Sequence, residues 1–378
     1  MSDNTDIDTV PAGAGGVGET DRTDRTDRTD RAGGAARAAS DRRGLAGLRG
    51  RLAGANVLWI FLVLVGLMTF FSVIEPNFTN PVNLRSIAAD NAPLLVLAVG
   101  MTYVIISAGI DLSVGSVLIF SGVVAAKTML WLGGGADASV GAANAGWGVT
   151  LAGCAAGVLG GTAWGLLNGL LVAKARIPSL IATLGTLGMA LGAAYLITDG
   201  TDVRGIPLNF TRTIGFGLAL GVVPWLCVIA AVITVLLGLV LAFTKFGLRT
   251  YAIGSNAEAA RRVGIPVDWH LIRVYALSGM LAGVAGCLSL AHYTTTTISG
   301  HTTDNLAAIA AVVLGGASLF GGSGAVAGTV IGLLIPAVLQ KGFITIQVNP
   351  YWQYIAVGAV LVLAVYFDQL RRRARERG

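Results

Sequence analysis

The chain has 378 residues, of which 54% are hydrophobic and only 12% charged, with a mean hydropathy of +0.74. Soluble domains carry about 25% charged residues, so composition alone excludes an ordinary water-soluble globule and points to a membrane protein. The net charge of +6 is modest, and its cations lie beside apolar segments instead of forming one patch, which argues against nucleic-acid binding.

Residues 1–55 differ from everything that follows. TDRTDRTDRTDR (Thr20–Arg31) is a charge-alternating repeat set among Gly, Ala and Ser, which cannot bury a core and is expected to be a disordered cytoplasmic tail. It is too long and too acidic for the n-region of a signal peptide. Arg42, Arg43, Arg49 and Arg51 are the basic residues nearest the first apolar run, which places the N-terminus inside.

Residues 56–370 then read as one transmembrane domain. Ten apolar runs, each near the roughly 20 residues that cross a bilayer, fall at 57–74, 92–109, 112–131, 148–172, 178–198, 221–243, 270–291, 303–320, 324–342 and 351–368. The third and eighth are broken by polar or glycine-rich sequence. Ten spans with the N-terminus inside put the C-terminus inside, in agreement with the basic end RRRARERG (Arg371–Gly378). Lys174 and Arg176 then fall in the cytoplasmic 4–5 loop, and Lys245, Arg249, Arg261 and Arg262 in the 6–7 loop. Glu75, Asp90, Asp137, Asp199 and Asp202 fall outside, against Arg85, Arg204 and Arg212. Trp131, Trp147, Tyr293, Tyr351 and Trp352 sit near predicted outer ends, where an interfacial aromatic belt accounts for them. The fold expected is therefore all-α and polytopic, and five spans followed by five allow two inverted halves. The 53 glycines suit helices that touch in lipid. Pro178 and Pro336 open or kink spans.

Three stretches stand out. Ser107–Ser116, SAGIDLSVGS, places a carboxylate at a junction so tight that a water-exposed loop barely fits. Asp111 must find water, a donor or a cap role there. It either caps a helix through the amides of Ser113 or Val114, or holds a broken helix open on a translocation path with Ser113, Gly115 and Ser116. Tyr251–Asp268, YAIGSNAEAARRVGIPVD, is the longest polar interruption. Ser255 and Glu258 have capping-box spacing, and Ala257, Glu258, Ala259, Ala260, Arg261 and Arg262 are mostly helix formers. Gly264 and Pro266 stop the run, giving a helix of about two turns that needs a partner surface to be stable. It reads as a connecting loop or as a docking helix for a partner protein. Gly315–Gly324, GGASLFGGSG, gives either close packing or a flexible break at Gly315, Gly316, Ser318 and Phe320.

Enzyme chemistry finds little support. The lysines at 127, 174, 245 and 341 do not follow glycine, so no Gly-Lys-Ser/Thr phosphate loop is present. His270, His292 and His301 lack HExxH spacing, and no GxSxG occurs. Cys154, Cys227 and Cys287 lie singly in apolar runs and suggest neither a metal site nor a disulfide framework. No cofactor is expected.

GIDLSVGS (Gly109–Ser116), GLLNGLLVAKARIPSLIATLGT (Gly165–Thr186), YAIGSNAEAARRVGI (Tyr251–Ile265) and GGASLFGGSG (Gly315–Gly324), in that order, resemble the permease subunit of ribose-type ABC sugar importers. The resemblance runs from about residue 57 to 368 and leaves the tail outside. It implies a multi-pass permease of the bacterial cytoplasmic membrane that works as a homodimer. Its partners would be a cytoplasmic ATPase carrying two fused nucleotide-binding cassettes and an extracytoplasmic sugar-binding protein. The same analogy makes Asn256–Gly264 the coupling helix that docks into that ATPase, which moves the reading of this stretch from connecting loop to docking element. The motifs do not separate ribose from xylose, arabinose, galactose or an autoinducer sugar. The rival is a secondary transporter or channel working alone, for which Asp111 is the only seed of an ion site.

Overall fold

The computed structural model describes residues 60–134 and 142–349, with isolated positions between 352 and 366, all within the unit Asn56–Gly378. The repeat tail, the basic C-terminus, Asp137, Tyr351 and most of the tenth expected span lie outside the described residues.

The chain order is helix after helix. An apolar helix α1 (Ile60–Ile74) is followed by α2 (Pro81–Asp90) and α3 (Ala92–Ile106), which meet at 45°. Pro81 and Pro93 lie in their first turns, where a missing N–H removes nothing the helix needs. Then come α4 (Val114–Gly134), α5 (Trp147–Ala173) and α6 (Ser179–Thr198). After a short antiparallel hairpin, β1 (Leu218–Ala219) with β2 (Val223–Pro224), the chain continues into α7 (Trp225–Phe243), α8 (Lys245–Ser255) and α9 (Ala257–Arg262). The last three are α10 (Val267–Tyr293), α11 (Asp304–Leu314) and α12 (Val326–Thr345). Among the described residues α4, α5, α6, α7, α10 and α12 are each long and apolar enough to cross a membrane. The pair α2 with α3, bent by 45° at the break between them, is either a seventh, broken span or a re-entrant loop, and α1 and α11 are shorter apolar helices.

Several expected spans are redrawn. The second begins at Ala92 as expected but stops at Ile106 instead of residue 109, and α2 precedes it where no helix was expected. The eighth is helical only over Asp304–Leu314, because four glycines beyond it, Gly316, Gly321, Gly322 and Gly324, take positive φ. The polar interruption at Tyr251 is not a single loop with one helix, since Tyr251–Ser255 forms the last turn and a half of α8.

The packing rests on α5. Gly153, Gly157, Gly161, Gly165 and Gly169 recur at every fourth position and form one bare stripe. A Cβ on Gly161 would lie 2.5 Å from the Gly279 carbonyl oxygen of α10, one on Gly169 would lie 2.7 Å from the Ile272 Cα, and one on Gly157 would lie 2.6 Å from the Ser121 carbonyl of α4. Backbones therefore touch, which is how helices gain dispersion contact in lipid, where no hydrophobic drive holds them together. Gly286 of α10 meets Leu118 and Gly122 of α4 in the same way. Around this centre α3, α4 and α10 are buried on most sides, whereas α5, α6 and α7 present broad apolar faces outward.

The bundle has two distinct ends. At one, called here the near end, Lys174 approaches Asp268 and α8–α9 turn back onto the helices. At the other, the far end, Asp202 accepts from the Ile298 amide (3.0 Å), and Asp90 pairs with His292 (3.0 Å) and Lys341 (3.7 Å).

Candidate functional site

The first candidate element is α9. Its N-cap is Asn256, whose Oδ1 accepts from the Ala259 amide (2.9 Å), and not Ser255, which ends the preceding helix. Glu258, placed by spacing as the return arm of a capping box, pairs with Arg262 one turn on (2.6 Å). Arg261 reaches Asp268 at the start of α10 (2.5 Å), and Lys174 shares that carboxylate (3.6 Å) while lying over the Trp269 ring. Gly264 stops the helix with φ +82, and Pro266 opens the next one. Six residues cannot hold a helix by themselves. Ala260 supplies the missing contact by burying its methyl against Ile253 and Val267, with Ile265 and Leu271 beside them. The opposite surface carries Ala257, Glu258, Arg261 and Arg262, all exposed, beside exposed Val263 and Trp269. Burial raises the Tyr251 phenol above its ordinary pKa, so it stays a donor and bonds the Gly324 carbonyl (2.7 Å).

The second candidate element is the break between α3 and α4. Asp111 is 1% exposed, and both its oxygens are engaged. Oδ1 accepts from the Ser113 amide (3.0 Å) and hydroxyl (2.6 Å), and Oδ2 accepts from the Ser278 hydroxyl (3.0 Å). The network continues outward: Asn168 Nδ2 donates to Ser113 Oγ (2.8 Å), and Thr186 Oγ1 donates to Asn168 Oδ1 (2.6 Å). Side chains also satisfy the broken backbone. The Ile110 amide donates to Ser179 Oγ (3.3 Å), the Leu112 amide to Thr183 Oγ1 (3.1 Å), and Asn305 Nδ2 to the Leu112 carbonyl (3.0 Å). Irregular backbone at membrane depth is tolerated only when it is buried in protein and satisfied, as it is here. Ser278 lies eleven residues into α10, so at 1.5 Å per residue the carboxylate sits about 16 Å from that helix end. Asp111 therefore bonds the Ser113 amide as a cap would, and in the same position it joins α4 to α5, α6 and α10.

The other path residues divide. Gly115 packs against the His301 carbonyl, where a Cβ would lie 2.6 Å away, and Ser116 returns its hydroxyl to Ser113 O (2.8 Å) within its own turn. Gly315 lies in backbone contact with Gly328, so it is a packing glycine, while Gly316 with φ +87 belongs to the break. The Ser318 amide donates to the Ser323 carbonyl (3.1 Å) and its hydroxyl accepts from the Phe320 amide (3.3 Å), which makes a compact turn with Phe320 half exposed. The glycine-rich turn thus joins the α3–α4 break through the backbone of Ile106, not through Asp111. Asn168, Ser179, Thr183 and Thr186 lie in the Gly165–Thr186 motif, but the sequence assigns neither them nor Ser278 a place in the site. Their signal was polar side chains inside apolar runs.

Residues 83–365 match the family described as branched-chain amino acid transport system / permease component. The chain is 36% identical over 317 residues to the ribose import permease protein RbsC of Escherichia coli (strain K12), covering 82% of this chain and 93% of the relative. It is 34% identical over 335 residues to the L-arabinose ABC transporter permease protein AraH of Azospirillum brasilense (88% and 92%). It is 31% identical over 311 residues to the D-allose transport system permease protein AlsC of Escherichia coli (strain K12) (82% and 90%). No solved structure matches.

Proposed function

Because the chain belongs to this family of transport-system permease components, we propose that it is the membrane-spanning permease of an ATP-driven importer for a monosaccharide. The observation that carries this reading is near full-length similarity to relatives named for ribose, L-arabinose and D-allose transport. The energy source is a separate ATPase, since this chain has no phosphate loop of the Gly-Lys-Ser/Thr type. A sugar-binding protein delivers substrate on the opposite side. The near end faces the cytoplasm, with both termini on that side, a placement supported by Lys174, Arg176, Lys245, Arg249, Arg261 and Arg262 gathering in its loops. There α9 docks on the ATPase through the exposed face of Glu258, Arg261 and Arg262, while Ala260 anchors it to the bundle. Two copies of the permease related by a two-fold axis fill the two docking grooves of a paired-cassette ATPase. The pair switches between outward- and inward-open states because the ATPase, with and without nucleotide, favours different ones.

The Asp111 network is the element whose rearrangement opens and shuts the path. Its hydroxyls and amides can exchange partners with little loss, whereas an ion-coupled site needs a carboxylate free to take up its ion. Asp111 has three donors already, and no metal-holding acidic cluster occurs among the described residues. That favours the importer over a stand-alone secondary transporter. Labelled ribose, xylose, arabinose, galactose and allose should each be offered to cells that express this permease with its ATPase and binding protein. Saturable uptake of one of them supports the reading, and uptake of none, with the complex assembled, contradicts it.

A further inference from the structure

Three interruptions of regular structure meet at one point: the end of α3, the α8–α9 corner, and the glycine-rich turn between α11 and α12. The Ile106 carbonyl belongs to the last turn of α3 and has no partner within that helix. The Gly322 amide donates to it across 2.9 Å. Gly254, one residue from the end of α8, lies against both groups. A Cβ at this position would collide with the Ile106 carbonyl oxygen and sit 2.7 Å from the Gly322 nitrogen. Gly321 fits only because it has no side chain, since a Cβ there would lie 2.8 Å from the Gly254 carbonyl and 2.7 Å from Ala108 Cβ. A Cβ on Gly322 would lie 2.5 Å from Ser255 Oγ. Tyr251 fastens the same helix to Gly324. At Gly254 the contact with Ile106 and Gly322 is backbone on backbone, with no rotatable side chain between them to absorb a push. Five residues beyond Ile106 the chain reaches Asp111.

We infer that Gly254 is a positioning residue for transport. Its bare backbone makes the docking corner, the Gly322 turn and the α3–α4 break one mechanical piece, so a displacement of α9 reaches the Asp111 network directly. Close-packed interiors transmit such shifts because atoms already in contact cannot be compressed further. This inference rests on the importer reading.

The test uses the full chain assembled with its ATPase and binding protein in proteoliposomes, with the unmodified complex run in parallel. If the unmodified complex shows no ATP-dependent uptake, the importer reading fails. If it does, Gly254→Ala tests the junction by itself. The wedge parts Gly254 from Ile106, so the assembled variant is expected to hydrolyse about tenfold more ATP per sugar delivered. An unchanged ratio overturns the inference. A second arm adds no bulk at the junction. Tyr251→Phe removes the hydroxyl that fastens α8 to the Gly324 carbonyl and leaves the backbone contacts of Gly254 in place. A push carried by those backbone contacts leaves the ATP-to-sugar ratio of this variant unchanged. A rise of about tenfold here would place the coupling in the Tyr251 side chain and overturns the inference.

Discussion

Asp111 accepts three hydrogen bonds and is almost wholly buried. The chain Thr186–Asn168–Ser113–Asp111 runs in one donor-to-acceptor direction, so each link polarises the next. Asn168 is the link that can be removed cleanly. Asn168→Leu leaves the Thr186 hydroxyl without its acceptor across the bundle and the Ser113 hydroxyl without its donor, both buried, which costs about 1–3 kcal/mol. Thermal denaturation in detergent should show the fall, and an unchanged midpoint would mean that the network is replaced by other partners. Asp111→Asn keeps an oxygen for Ser113 and offers an amide to Ser278, whose oxygen can accept it. Its melting point should stay near that of the unmodified protein while uptake falls. Equal losses in both measurements would make the residue structural alone. The sequence made Asp111 conspicuous because a charge in an apolar run is costly. It did not make Asn168 or Thr186 conspicuous, because an uncharged polar side chain in a helix is inexpensive when it bonds its own backbone, as Thr102 and Thr162 do.

At the scale of the element, α9 shows how spacing misleads by one residue. Ser255 and Asn256 are both good caps, and the Ser255–Glu258 interval fits a capping box. The chain chooses Asn256 because α8 continues to Ser255 and occupies it. Asn256→Ala should therefore weaken the helix by about 1 kcal/mol, whereas Ser255→Ala should leave it nearly unchanged. Affinity of the permease for its ATPase in a pull-down titration reads the difference, and the reverse order of effects would restore Ser255 as the cap. The glycine stripe of α5 makes a second prediction. Gly165→Leu puts a side chain into the backbone of Tyr275 and Gly279, so the variant should fail to accumulate in the membrane. Gly185→Leu on α6, where a Cβ meets nothing, should accumulate normally. The helices themselves were legible from runs of apolar residues. Their breaks were legible less well, because hydropathy reads lipid-facing and protein-facing residues alike. It joined Asp304–Leu314 to the glycine-rich turn as one span and left α2 in a loop.

At the scale of the whole molecule, the bundle separates two ends with different chemistry. The near end gathers Lys174, Arg261 and Arg262 and the α8–α9 corner. The far end holds the Asp202–Ile298 and His292–Asp90–Lys341 links and the chain Ser289–His301–Asp304, whose bonds are 2.7 Å each. The α3–α4 break lies between them, tied by Ile106 to the near-end junction and by Leu112 to Asn305 at the start of α11. Under the proposed importer reading, such an arrangement would carry a push at α9 from an ATP-driven partner to the α3–α4 break, and that is the central claim. The most direct measurement is labelled-sugar uptake into proteoliposomes holding the permease with its ATPase and binding protein. It is made with and without ATP inside the compartment that the ATPase faces, each with and without an ionophore. Uptake that requires ATP and ignores the ionophore is the predicted result. Uptake by the permease alone that collapses with the ionophore would contradict it.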